Sequence, residues 1–220
     1  MQKITLHKVG PIDDCQMDVQ RFTVLTGSQA SGKSTIAKAI FFFRTVAQDV
    51  IGQMQTRNLV DAYRTTLEND LKKRLRNKFL QIFGSSWAMP QEMKLRYEYA
   101  RWMTIELYLV PDRNAPYRNF VEFQFGEKIV DFLKKYDDYA EQTWDEQSWK
   151  DVQREINELF SDGYETIYVP AGRSLITLLT DQLVSILSSD EGRSLDFCMQ
   201  AYVRRILSLR SQIRGGFSHL

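Results

Sequence analysis

The run Thr26–Thr35, TGSQASGKST, places a glycine, four residues and then Gly-Lys-Ser-Thr in one stretch. GxxxxGK(S/T) is the spacing of a loop that wraps phosphate. Successive backbone N–H groups from about Ser28 to Ser34 can curl around a β-phosphate, helped by the positive end of a following helix. Lys33 then reaches the β- and γ-phosphates as a point charge, Ser34 offers its hydroxyl to Mg²⁺, and Thr35 lies beside the α-phosphate. The candidate nucleotide-binding set is Gly27, Ser28, Gln29, Ala30, Ser31, Gly32, Lys33, Ser34 and Thr35. Ser34 is the candidate metal ligand, and ATP and Mg²⁺ are the expected cofactors. Ala30 stands where glycine is frequent; its extra methyl still lets the loop close. The alternative for such a stretch is an ordinary Gly/Ser turn that caps a helix.

A phosphate loop needs a strand before it and a helix after it. FTVLTG at 22–27 is a short β-branched and apolar run ending at glycine. From Lys33 the apolar residues Ile36, Ile40 and Phe43 fall on one helical face. Upstream, 2–9 and 14–19 alternate as two short strands around a GPID turn. No proline interrupts 33–83, so helix continues, with a break expected near Gly52. WMTIELYLV and NFVEFQFG read as a hairpin joined by PDRNAPYR, residues 127–160 are helix-like, and GYETIYVPAGRS is a further strand stopped by Pro170. Helices over about 174–187 and 194–212 complete an α/β order with an elaborated middle.

With 220 residues, 43% hydrophobic and 12% aromatic, the chain can bury a substantial core. A net charge of +1 gives no global pull toward nucleic acid or anionic membrane. Cys15 and Cys198 match neither a disulfide framework nor metal spacing, which points to a reducing cytoplasm. MQKITLHKVG lacks the pattern of a signal peptide, and IAKAIFFF is too short to span a membrane. These features describe a soluble intracellular protein with no membrane partner.

GTPases read guanine through Asn-Lys-x-Asp, and the Asn-Lys at 77–78 is followed by Leu80 where the aspartate belongs. The stretch ITLHKVGPIDDCQMDVQRFTVLTGSQASGKSTIAKAI resembles the opening of ABC-type ATPase heads of the SMC, RecF and OLD-nuclease group. IYVPAGRS resembles the YIPAxRS strand and turn of the AAA-type members of that group. The resemblance implies an α/β P-loop NTPase fold with an ABC-type mixed sheet, antiparallel strands beside a parallel core, and a helical insertion. Residues 1–45, 100–126 and 164–220 would form an amino-terminal lobe, and 46–99 and 127–163 the insertion or arm. It further implies ATP hydrolysis, head-to-head dimerisation or completion by a second ATPase lobe, and a nucleic-acid or defence setting. Lys8 would lie near the nucleotide; Arg173 would face the site or a partner head, or simply cap a helix.

The rest of a hydrolytic head is not found. IELYLVPD ends in Pro-Asp without a glutamate, and Asp190-Glu191 follows a helical pattern and reads more simply as a polar helix end. LSSDEG only echoes a signature loop. The chain therefore reads as the amino-terminal lobe of a longer ATPase, or as one that a second polypeptide completes. The alternatives are a nucleotide-responsive binding module without turnover and a P-loop phosphotransferase. Lys72, Lys73, Arg74, Arg76 and Lys78, and Arg204, Arg205, Arg210 and Arg214, could each contact nucleic-acid phosphates or form a solvated helix face. Trp87, Trp144 and Trp149 are expected to pack helices rather than stack bases.

Overall fold

The computed structural model describes residues 1–57, 64–112, 119–137, 145–160, 165–171 and 196–216. It divides into two units, Met1–Glu165 and Thr166–Leu220.

In the first unit, β1 (Gln2–Val9), β2 (Ile12–Val19), β3 (Lys94–Ala100), β4 (Met103–Pro111) and β5 (Asn119–Phe125) form one sheet in the order β2-β1-β3-β4-β5. Every pairing is antiparallel. Strict alternation supplies the reason: Ile4 and Leu6, Leu95, Tyr97 and Tyr99, Ile105 and Leu107, and Val121 and Phe123 are all buried on one face, while the intervening polar residues face outward. β3 did not announce itself among the charges of KLRYEYA, although its period of two is plain once the face is known.

Helix α1 (Lys33–Arg44) carries Phe41, Phe42 and Phe43 into this core. Phe43 stacks on Tyr97 at 5.1 Å and Phe42 lies 6.3 Å from Phe123. Tyr99 Oη donates to Phe43 O at 2.6 Å. The break after α1 falls at Thr45, not at Gly52. Thr45 Oγ1 donates to the carbonyls of Phe41 and Phe42 at 2.8 and 3.1 Å, which ends α1 before α2 (Val46–Thr56) begins. Gly52 lies inside α2, where the Arg74 side chain crosses: a Cβ would sit 3.0 Å from its Nη2.

Helix α3 (Leu67–Phe83) starts at Thr66, whose hydroxyl accepts from Asn69 N, and stops at Gly84. Its stripe Leu67, Leu71, Leu75, Phe79 and Ile82 is buried. α4 (Glu127–Lys135) and α5 (Glu146–Leu159) follow, joined by Lys135 and Tyr136 on Glu155. In the second unit α6 (Phe197–Gly216) packs Val203 against Met199, Tyr202, Ile206 and Leu207.

The expected ABC-type mixed sheet with a parallel core is not what forms. Among the described residues no strand is parallel to another. The two runs that should have supplied parallel strands, FTVLTG at 22–27 and the segment 165–170, are in no ladder. Phe22 and Val24 are 82% and 66% exposed, and Ile167 and Val169 are 44% and 51% exposed. A strand is held by the ladder bonds of a neighbour and by burial on both faces in a parallel sheet. These runs have neither, whereas the five antiparallel strands satisfy one another. The helix expected over 174–187, together with Arg173, Asp190-Glu191 and Trp144, lies outside the described residues.

Candidate phosphate-binding site

The loop precedes the start of α1, as the sequence placed it, but the strand expected before it at 22–27 is not formed. Its backbone alternates through left-handed positions, with φ of 60° at Ala30 and 91° at Gly32. Gly32 is required twice over. Its φ suits glycine, and a Cβ there would lie 2.6 Å from Ile12 Cγ1 and 3.4 Å from Pro11 Cγ. The loop therefore rests directly on the Gly10–Pro11 turn between β1 and β2. A Gly32→Ala variant is expected to lift the loop from that turn and to weaken nucleotide binding about ten-fold, the scale of about 1–2 kcal/mol of left-handed strain. Calorimetric titration of the variant with Mg-ATP checks this.

Two features suit the loop to an anion and a third to the anion's metal counter-ion. First, α1 begins at Gly32 with no side-chain cap and no acid in its first turn. By contrast α3 and α5 are capped by Thr66 and Asp145, which accept from Asn69 N and Ser148 N at 3.2 and 2.8 Å, while α2 and α4, also without a side-chain cap, carry Asp49 and Glu127 in their first turns. An uncapped N-terminus presents unsatisfied donors at the positive end of the helix dipole. Second, Lys33 bends back over the loop. Its Nζ donates to Gly27 O at 2.8 Å, to Ser28 O at 2.5 Å and to Ser31 Oγ at 3.2 Å. The ammonium thus lies against three residues of the loop itself. Third, Ser34, next to it, is exposed, with a hydroxyl open to a cation.

Among the described residues no group of three or more His, Cys, Asp or Glu side chains is placed to hold a metal ion. Mg²⁺ characteristically takes few protein ligands and completes its shell with waters and substrate phosphates. Ser34 fits that pattern as the hydroxyl ligand of a phosphate-borne Mg²⁺.

No protein-family model, curated protein or solved structure matches the chain.

The remaining candidates separate by position. Lys8, with φ of 52°, donates to Asp13 Oδ1 at 2.6 Å. The hydrogen bond and charge of Asp13 raise the Lys8 pKa, and Lys8 in turn lowers that of Asp13. Lys8 also shares a cleft with Thr35 and Lys38 of α1, so the structure brings it to the loop's flank. Much of the basic cluster on α3 is spent internally. Lys72 pairs with Glu68 at 3.0 Å, Arg74 with Asp49 at 3.1 Å, and Lys78 with Asp49. Arg76 lies 3.8 Å over the Phe120 ring and donates to Val121 O, while Lys73 is exposed. Arg204 and Arg205 lie on α6. Trp149 is half-buried on α5. No described helix is long and apolar enough to cross a membrane.

What the sequence did not single out is the wall of that cleft: Phe79, Phe83, Met89 and Met93. The available signal was the i, i+4 pair Phe79/Phe83 placed one residue before the helix-stopping Gly84.

Proposed function

We propose that the chain binds Mg-ATP through Gly27–Thr35. The observation that carries this is the convergence of an uncapped, acid-free helix start with the Lys33 ammonium held on Gly27 O and Ser28 O. Backbone donors from the loop and the first turn of α1 would surround the β-phosphate. Lys33 would leave the loop carbonyls for the phosphate oxygens, exchanging neutral acceptors for charged ones, which make the stronger bonds. Ser34 would hold the Mg²⁺ that the phosphates bring, and that ion would neutralise charge on the β- and γ-oxygens.

Hydrolysis, and the head-to-head pairing that would use it, rest on the resemblance to ABC-type heads rather than on this geometry. Residues beyond the loop would have to supply a water-activating carboxylate and a second acid for the magnesium shell. Binding is the function the loop supports by itself.

The test is a calorimetric titration of the full chain with ATP, with and without Mg²⁺. Saturable one-to-one binding is expected in MgCl₂, weakening at least several-fold in EDTA because the contact of Ser34 with the phosphate-borne Mg²⁺ is then lost. No saturable binding of ATP in either buffer would sink the proposal.

A further inference from the structure

The β1–β2 turn, α1, the end of α3 and residues 84–93 enclose a cleft of about 620 Å³, within the ~300–1,000 Å³ range of ligand sites. Its phosphate-side wall is Thr35 and Lys38 of α1, with Lys8 and Gly10 of the turn. Thr35 is the last residue of the phosphate loop, and Gly10 approaches it closely enough that a Cβ would lie 3.8 Å from Thr35 Oγ1. The cleft and the loop therefore share one residue, Thr35.

Its far wall is apolar and flat. Phe79 is fully buried and Phe83 stacks on it, with ring centroids 4.8 Å apart and planes 28° from parallel. Phe83 is only half-buried, so part of its surface remains exposed in the cleft. Met89 and Met93 supply soft, deformable contacts around it. No carboxylate lines the cleft among the described residues, and Ser85 and Thr35 are the neutral side chains able to hydrogen-bond there.

We infer that this cleft receives the purine base of the nucleotide held by the loop, with Phe83 as the stacking surface. The inference rests on the phosphate-binding proposal above and adds where the nucleoside lies and how it is read. Aromatic stacking is tolerant of base identity because every base offers a π face. Guanine is usually singled out by an acceptor for its N1–H and exocyclic amine, and the cleft presents no carboxylate for that purpose. Lys8 and Lys38 stand between base and loop, where the ribose and α-phosphate would pass. Purine triphosphates should bind alike, and inorganic tripolyphosphate, which has no base, should bind more weakly.

The experiment compares Mg-ATP, Mg-GTP and Mg-tripolyphosphate by calorimetry on the full chain and on three variants. In the wild type ATP and GTP should agree within about ten-fold. Phe83→Ala should weaken ATP about ten-fold, the order of a lost base–aromatic stack, and leave tripolyphosphate unchanged. Phe83→Leu keeps apolar volume without the π face and should lie between. Ala88→Trp, at an exposed position, should obstruct the cleft and weaken ATP alone. Equal wild-type affinity for ATP and tripolyphosphate would overturn the inference while leaving the phosphate loop intact. Unchanged ATP affinity in both Phe83→Leu and Ala88→Trp would do the same, as would binding of ATP without GTP. If neither ATP nor tripolyphosphate binds, the phosphate-loop proposal fails and this inference falls with it.

Discussion

Lys33→Ala should raise the dissociation constant for Mg-ATP by at least about 100-fold. The ammonium makes three contacts in the structure, two to backbone carbonyls and one to a serine hydroxyl, all on residues of the loop itself. In the nucleotide complex it would exchange these for β- and γ-phosphate oxygens. Two hydrogen bonds to charged acceptors are worth roughly 1.5–3 kcal/mol each, so their loss amounts to about 10²–10⁴ in affinity. The same substitution should hardly touch the fold. The bonds it removes are exposed, and substitutions at such positions fall within about 0.5 kcal/mol, or roughly 2 °C in a chain of this length. Differential scanning fluorimetry separates the two effects. ATP at about 100 times its dissociation constant adds ~2.7 kcal/mol to wild-type stability, and the variant should show no such gain. Lys33→Arg is a sharper probe, because the planar guanidinium cannot stand in for a compact ammonium inside the loop. It should also bind poorly although its charge is kept. Wild-type affinity in Lys33→Ala would show that the loop is an ordinary helix-capping turn.

The candidate loop was legible because its residues are consecutive. Nine consecutive residues carry the donors, the cation and the hydroxyl, and a sequence displays them in order. The β1–β2 and β4–β5 hairpins were legible for the same reason: neighbouring runs with period-two alternation pair across short connections. What failed to show was anything settled between distant residues. FTVLTG has the composition of a strand, yet composition cannot tell whether a partner strand exists for it, and Phe22 and Val24 stand exposed. Gly52 looked like a helix break because glycine lowers helix propensity, but Arg74, twenty-two positions on, uses its missing Cβ. Phe83 is unremarkable in LQIFGSS until the end of α3 is seen to flank a cleft that also touches Thr35. The basic cluster on α3 read as a solvated or nucleic-acid-facing stripe. Some of its positions face the core, and besides Glu68 one turn away the acids that pair with it, Asp49 and Glu122, are 25 residues or more away.

That cluster supplies the largest expected loss of stability. Lys78, with a side chain 9% exposed, meets the carboxylate of Asp49, itself 12% exposed. Asp49 also accepts from Arg74 Nε at 3.1 Å. Lys78 Nζ donates to Thr45 Oγ1 at 2.6 Å, and that same hydroxyl terminates α1 on Phe41 O. One ammonium therefore ties the α1–α2 corner to α3, above the Phe42 ring at 5.5 Å. Asp49→Ala takes the carboxylate from a buried cation, a change that costs about 3–5 kcal/mol and should lower the thermal midpoint by roughly 6–20 °C. Asp49→Ala with Lys78→Met removes both charges and should recover most of the loss, since a buried pair replaced by apolar groups is often close to neutral. A double variant as unstable as the sum of its parts would show that the pair is not coupled. Binding should tell a different story. Lys33 and Thr45 are twelve residues apart, about 18 Å along a helix, so the corner lies at the far end of α1 from the phosphate loop. At temperatures where Asp49→Ala is still folded by circular dichroism, its Mg-ATP affinity should stay within about three-fold of wild type, as for changes at independent sites. Lost affinity in a folded Asp49→Ala chain would mean that α1 transmits the state of its distal corner to the loop.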